Sequence, residues 1–214
     1  MKDIIQNKLE RYQVKTAEDE LNALKEITQE VVLHALAKTD FFQKAQFVGG
    51  TCLRILHRLD RFSEDLDFSL NVPTPDFKLM PYLEEVGRVT EVYGYRFEIS
   101  GKDAVDSQVR ARFLKDDSIK KVLALRHAQD GGRKIQIKIE VDVNPPVGAQ
   151  AAVKYCDFPT DFAVSTQELG SLFAGKLHAL LCRPYLKGRD WFDFNWYVAR
   201  GVSPNLPFLS NALK

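Results

Sequence analysis

The stretch FVGGTCLRILHRLDRFSEDLDFSL, residues 47–70, decides how the chain is read. Phe47 and Val48 form a short apolar run that stops at Gly49-Gly50, as a buried strand does when it meets a turn. From Thr51 onward, Leu53, Ile55, Leu56 and Leu59 fit a short helix. The Gly-Gly-Thr turn is therefore expected at a helix N-terminus, where unpaired N–H groups attract phosphate and the missing side chains allow close approach. After a polar turn over 60–64, Asp65-Leu66-Asp67-Phe68-Ser69-Leu70 alternates strictly. That period places both aspartates on one strand face and Leu66, Phe68 and Leu70 on the other.

Two ionised carboxylates converging in a half-buried site repel each other and need a compensating cation. A hard divalent ion, Mg²⁺ or Mn²⁺, meets that need through one or two carboxylates and leaves positions for water and substrate phosphate. Each feature alone has a bland reading: a Gly-Gly pair is most often only a turn, and an Asp-x-Asp strand most often a solvated face. Their combination in one strand, turn, helix and strand predicts phosphoryl or nucleotidyl transfer.

Gly49-Gly50-Thr51, Leu53-Arg54, Arg61-Phe62-Ser63 and Asp65-Leu66-Asp67-Phe68 together resemble the signature of the AbiEii/AbiGii-type nucleotidyltransferases. These are the toxin halves of bacterial type IV toxin–antitoxin and phage-defence pairs. A second resemblance lies in Phe173-Ala174-Gly175-Lys176-Leu177-His178-Ala179-Leu180, then Arg183 and Arg189-Asp190-Trp191-Phe192-Asp193, which looks like the family's helical lysine and its Arg-Asp-x-x-Asp segment. The resemblance implies an α+β fold with a polymerase-beta-like nucleotidyltransferase core, a mixed sheet with flanking helices, and a C-terminal helical part. It implies that Gly49, Gly50, Thr51, Arg54 and Ser63 hold a nucleoside triphosphate, that Lys176 contacts it, and that Asp65 and Asp67 bind metal. A third carboxylate on a neighbouring strand commonly completes such a metal site, and Glu140 or Asp142 matches it. The acid of the last motif is implicated in catalysis, and both Asp190 and Asp193 match it. The implied acceptor is transfer RNA or a protein hydroxyl, and the implied partner a cognate antitoxin.

Elsewhere the residues speak for themselves. The 214 residues suffice for a substantial core, and 45% hydrophobic with 28% charged content is ordinary for a globular protein. A net charge of +1 gives no overall pull toward nucleic acid or membrane. No apolar stretch approaches a membrane span and no signal-peptide core follows Met1, so a cytoplasmic protein is expected. Cys52, Cys156 and Cys182 are three and far apart, which fits neither a disulfide framework nor a zinc site.

Thr16 with Asp19 reads as an N-cap box opening a helix over 16–38, on which His34 is expected to pack rather than bind. A Pro-containing loop over 71–76 precedes a helix over 79–92 ending at Gly94. Extended segments are predicted over 95–100, 107–114 and 122–127, joined by polar turns at 101–103 and 115–117. A hairpin turn at Asp130-Gly131-Gly132 then leads into the clearest strand, 134–143, where Ile135, Ile137, Ile139, Val141 and Val143 alternate with polar residues. On its polar face the bland reading pairs Lys138 with Glu140.

Ser165 with Glu168 reads as a capping box for a helix carrying Leu169, Leu172, Phe173, Leu177, Leu180 and Leu181. Lys176 lies close to that stripe, where a lysine either snorkels to water or serves a bound anion. Pro184 and Gly188 break the helix, and Asp190 sits where an N-cap is expected, with Asp193 one turn on. Trp191, Phe192, Phe194, Trp196 and Tyr197 are expected in the core. Two parts follow, a core over 1–160 and a helical part over 161–214. The chain ends at Lys214 where members of the family often continue with more helices, so a short member or a piece of a longer protein is expected.

The reading is a metal-dependent nucleotidyltransferase toxin. The rivals are an Asp-x-Asp glycosyltransferase, which leaves the Gly-Gly-Thr turn and the lysine motif unexplained, and a non-catalytic binding module of the same fold.

Overall fold

A computed structural model describes residues 2–101, 108–127, 134–185 and 187–214. The strands are β1 Ala45–Val48, β2 Asp65–Leu70, β3 Glu98–Ser100, β4 Val109–Asp116, β5 Ile135–Asp142, β6 Ala151–Cys156 and β7 Phe162–Gln167. They form one mixed sheet in the order β3-β4-β5-β2-β1-β7-β6. The helices are α1 Lys2–Glu10, α2 Ala17–Ala37, α3 Phe41–Lys44, α4 Gly49–His57, α5 Met80–Thr90, α6 Ser118–Val122, α7 Leu169–Cys182, α8 Gly188–Ala199 and α9 Leu206–Ala212. The result is an α+β fold.

Local chemistry explains the longest helix. Thr16 accepts the N–H of Asp19, and the Asp19 carboxylate accepts the N–H of Thr16, so two donors of the first turn are satisfied reciprocally. The apolar stripe of α2 lies against the sheet through β5 and β7, with α1 and α5 packed on it. Leu66 and Phe68 of β2 and Ile135, Ile137, Ile139 and Val141 of β5 are buried, while the polar residues between them face the other way. His34 is buried beside Tyr93 and Phe162, with ring centroids 6.1 and 5.5 Å away, and burial holds its pKa below the usual imidazole value. It packs.

Several predicted elements differ. The glycines do not precede α4; they are its first two residues, and Gly49 has φ +80°. Residues 122–127 are not a strand: α6 ends at Val122, and the Glu20 carboxylate accepts the N–H groups of Arg126 and His127, both at 2.8 Å. Leu123 and Leu125 are buried there without a sheet. Lys115 and Asp116 close β4 rather than forming a turn. Asp116 is buried and accepts N–H groups from Arg96 and Ile119 and the hydroxyl of Ser118. Lys102, Asp103, Ser107, Asp130, Gly131 and Gly132 lie outside the described residues.

Ser165 caps no helix. It belongs to β7, which pairs with β1 on one side and β6 on the other, and α7 starts only after Glu168. Asp190 is not an N-cap either, because α8 begins at Gly188 with Lys187 in the cap position. Among the aromatics of α8, Trp196 and Tyr197 are buried, and Tyr197 stacks on Phe173 at 4.5 Å between centroids. Trp191 and Phe192 are exposed. Helical geometry puts Asp190, Asp193 and Tyr197 on one inward stripe and sends 191 and 192 outward.

Candidate active site

A cleft of about 850 Å³ opens over the polar face of β2 and β5, walled by α7, α8 and α9 and floored by the start of α4. Val48 is extended and offers α4 no side-chain cap, so the first N–H groups of the helix are left for a ligand. The absent side chains of the two glycines are occupied by functional groups. A Cβ on Gly49 would land on the Asp67 carboxylate, and one on Gly50 would sit 2.6 Å from Arg61 Nη2 and 2.9 Å from Ser63 Oγ. Thr51 is buried beneath, its hydroxyl donating to the carbonyl of Asp65 and so tying helix to strand.

Asp65 and Asp67 share one face of β2, and β5 runs parallel in a register that sets Lys138 beside Asp65, Glu140 beside Asp67 and Asp142 beside Ser69. Burial, then the charges of Asp65 and Glu140, push the Asp67 carboxyl up to about 6. Burial also raises Asp65, against the opposing charge of Lys138. Glu140 is paired with Lys138 at 2.8 Å, as the bland reading has it. Asp142 lines the cleft, accepts the N–H of Asn144 at 2.9 Å and is raised by burial. Among the described residues no group of three or more His, Cys, Asp or Glu side chains is close enough to hold a metal ion, and neither Asp65 nor Asp67 forms an ion pair. Two acids that resist ionisation beside a third, with no ion-pair partner of their own, nonetheless fit a divalent cation, which would relieve the repulsion.

The cationic side comes from α7, α8 and the turn before β2. Lys176 Nζ lies 2.9 Å from Asp190 Oδ1 and 2.8 Å from Asp193 Oδ2. Arg183 Nη1 reaches Asp190 Oδ2 at 2.7 Å. Arg61 closes on Asp193 with both Nε and Nη2, at 2.7 and 2.6 Å. Burial pushes Asp190 up, but the hydrogen bonds and charges of Lys176 and Arg183 outweigh it and hold the acid below the usual carboxylate range. Arg189 is exposed at the rim, and its charge favours ionised Asp65 and Asp67.

Of the residues expected from the sequence, the cleft thus gathers Gly49, Gly50, Ser63, Asp65, Asp67, Asp142, Lys176 and Asp190. Thr51 does not line it, nor does Arg54, whose guanidinium is engaged elsewhere by Glu26 at 2.8 Å and by the carbonyls of Leu59 and Asp60. Glu140 and Asp193 do not line the cleft, Asp193 being fully buried. Arg61 and Arg189 line the cleft and were not among the candidates, although both stand inside the quoted motifs. The signal for Arg61 was its position two residues before Ser63 together with Gly50, whose missing Cβ makes room for it.

A family model described as nucleotidyl transferase AbiEii toxin, type IV toxin–antitoxin system, matches residues 31–214. Comparison with curated proteins gives no match. Among solved structures, the chain is similar to MenT4, the nucleotidyltransferase toxin Rv2826c from Mycobacterium tuberculosis H37Rv. The TM-score is 0.63 and the identity 20%, with 98% of this chain and 67% of that one covered. It is also similar to JHP933 from Helicobacter pylori, with TM-score 0.57 and identity 19%, covering 83% of this chain and 66% of that one. At such identities the likeness is one of fold, and the chain spans about two thirds of the length of these structures.

Proposed function

The chain belongs to the AbiEii family of nucleotidyl transferase toxins from type IV toxin–antitoxin systems, and from that premise we propose that its cleft transfers a nucleotide from a nucleoside triphosphate to an acceptor hydroxyl. The observation that carries the reading is the abutment of Gly49 on Asp67, which sets a phosphate-binding helix end directly against a metal-type carboxylate. In this reading residues 1–160 bring the turn and the carboxylates, and residues 161–214 bring Lys176 and its acids.

The N–H groups at the start of α4, with Ser63, hold the phosphates in place. Asp65 and Asp67 would hold Mg²⁺ or Mn²⁺, while Glu140, expected from the sequence as the third carboxylate, is paired with Lys138 and stands outside the cleft lining. The ion, when bound, neutralises charge on the phosphate oxygens in the in-line displacement of pyrophosphate. Lys176 adds fixed positive charge from the opposite wall. Asp142, raised by burial and facing the cleft, suits a group that takes the proton of the attacking hydroxyl. The acceptor is transfer RNA or a protein hydroxyl, the setting is the cytoplasm, and the partner is a cognate antitoxin.

The test is incubation of the protein with Mg²⁺, total transfer RNA and each of the four triphosphates, labelled at the α- or the γ-phosphorus. Transfer of α-label with release of pyrophosphate supports the reading. No α-label on RNA or on protein with any triphosphate sinks it, γ-label transfer makes the protein a kinase, and nucleoside diphosphate released in a parallel incubation with nucleotide sugars makes it a glycosyltransferase.

A further inference from the structure

We propose that Arg61 is the cation that receives the terminal phosphates of the triphosphate, and that Asp193 is its positioning residue. This rests on the nucleotidyl-transfer reading and assigns two residues within it. Arg61 lines the cleft with its side chain only 17% exposed. Its Nη2 lies over Gly50, so close that any side chain there would displace it, and Ser63 Oγ stands at the same spot. The cation, the hydroxyl and the helix N-terminus therefore converge on one point, as anion sites require.

A guanidinium carries five N–H donors. Asp193 takes the Nε donor and one on Nη2, and the carbonyl of Phe62 takes one on Nη1 at 3.1 Å. One donor remains on each of Nη1 and Nη2. The bidentate grip fixes the plane of the fork and so aims what remains.

Asp193 itself is shut away. Its side chain is 0% exposed, it does not line the cleft, and its oxygens are occupied by Arg61 and Lys176. A carboxylate so held neither reaches a substrate proton nor coordinates an ion in the cleft. It holds instead two cations from distant parts of the chain, Arg61 and Lys176. With Asp190 shared between Lys176 and Arg183, three cations stand against two acids. Within that cluster, apart from the acids of β2 and β5, the cations outnumber the acids by one.

The experiment uses the full chain and measures binding of Mg²⁺-tripolyphosphate by calorimetry, alongside KM and kcat for the preferred triphosphate. Arg61→Lys keeps the charge and loses the fork. It should raise both the tripolyphosphate Kd and KM roughly tenfold or more, with a much smaller change in kcat. Asp193→Asn should move the same two constants in the same direction. If Asp193→Asn does not fold, Arg61→Lys carries the test alone. Unchanged tripolyphosphate affinity in a folded Arg61→Lys protein, whatever its melting temperature, overturns the proposal in favour of a structural tie. Collapse of kcat with unchanged affinity in Asp193→Asn overturns it in favour of a catalytic acid. Wild-type protein that binds tripolyphosphate but transfers no nucleotide refutes the transfer reading and leaves the Arg61 assignment standing.

Discussion

Asp193 on α8 grips Arg61, 132 positions earlier in the chain, through both carboxylate oxygens at 2.7 and 2.6 Å. The pair is the physical join between the glycine–aspartate unit of residues 47–70 and the lysine-bearing helices near the C-terminus. Lys176 is drawn into the same join at 2.8 Å. Neither half of the cleft is therefore independent of the other, because a fully buried acid left with one cation fewer destabilises the wall that carries the remaining one.

The metal reading is tested on Asp67. Folding raises its pKa from 3.8 to about 6, so the folded state favours the protonated form. This contribution to stability is fully present below about pH 4 and is lost as pH rises through 6. Without added metal, Asp67→Asn should therefore be more stable than wild type at pH 7.5, by on the order of 1–2 kcal/mol. Mg²⁺ should raise the wild-type melting temperature at pH 7.5 and barely at pH 5, and should not raise that of the variant. Transfer should be abolished in both Asp65→Asn and Asp67→Asn. A variant with full turnover, or a Mg²⁺ response indifferent to pH, removes the pair from the metal site.

The two glycines should fail differently. Gly49→Ala meets a left-handed backbone and the Asp67 carboxylate at once, so the melting temperature should fall by an amount corresponding to about 1–2 kcal/mol and Mg²⁺ binding should be lost. Gly50→Ala meets only the movable end of Arg61 and Ser63 Oγ. It should fold and bind Mg²⁺, while triphosphate affinity falls. Calorimetric titration of both variants with Mg²⁺ and then triphosphate separates the two, and identical profiles would contradict the division.

Arg54→Ala should be a stability variant. Its guanidinium holds Glu26 of α2 and the carbonyls of Leu59 and Asp60, so its loss should cost about 2 kcal/mol and lower the melting temperature. The KM for triphosphate should stay within about twofold, well under the factor of ten that 1.4 kcal/mol of lost contact would produce. A large rise in KM with an unchanged melting temperature would return Arg54 to the phosphate site.

These contrasts show where local sequence carries enough physics and where it does not. β2 was legible to the residue because period-2 alternation with one buried face admits a single register. The N-terminus of α2 was legible because its cap is built from neighbours in sequence. β7 was not: Ser165 and Glu168 have capping-box spacing, yet residues 162–167 satisfy the hydrogen-bonding edges of β1 and β6, a demand made by strands far away in the chain. Arg54 and Arg61 flank the same turn with the same chemistry, and only the positions of Glu26 and Asp193 decide which faces the scaffold and which the cleft. Long-range ion pairs leave no local periodicity, so the glycine turn and the Asp-x-Asp strand could be read from spacing while the partners of Lys176 could not.

Lys176 supplies the sharpest remaining test. Spacing alone offers two states for it, a snorkelling lysine whose loss changes little and a phosphate contact whose loss changes only activity. The observed side chain is 12% exposed and bound to Asp190 and Asp193, so it snorkels to no solvent. Lys176→Met should therefore lower the melting temperature, since each acid retains one cation but loses another, at a cost of about 1–3 kcal/mol. Activity measured well below that temperature should fall further than stability explains, by roughly ten- to a hundredfold in kcat/KM, if the ammonium also meets the triphosphate. Lys176→Arg, which keeps the charge, should recover the melting temperature more fully than the rate, because a planar fork does not replace a point charge at a fixed site. Turnover at the wild-type level in a folded Lys176→Met protein would confine Lys176 to holding the two helices together.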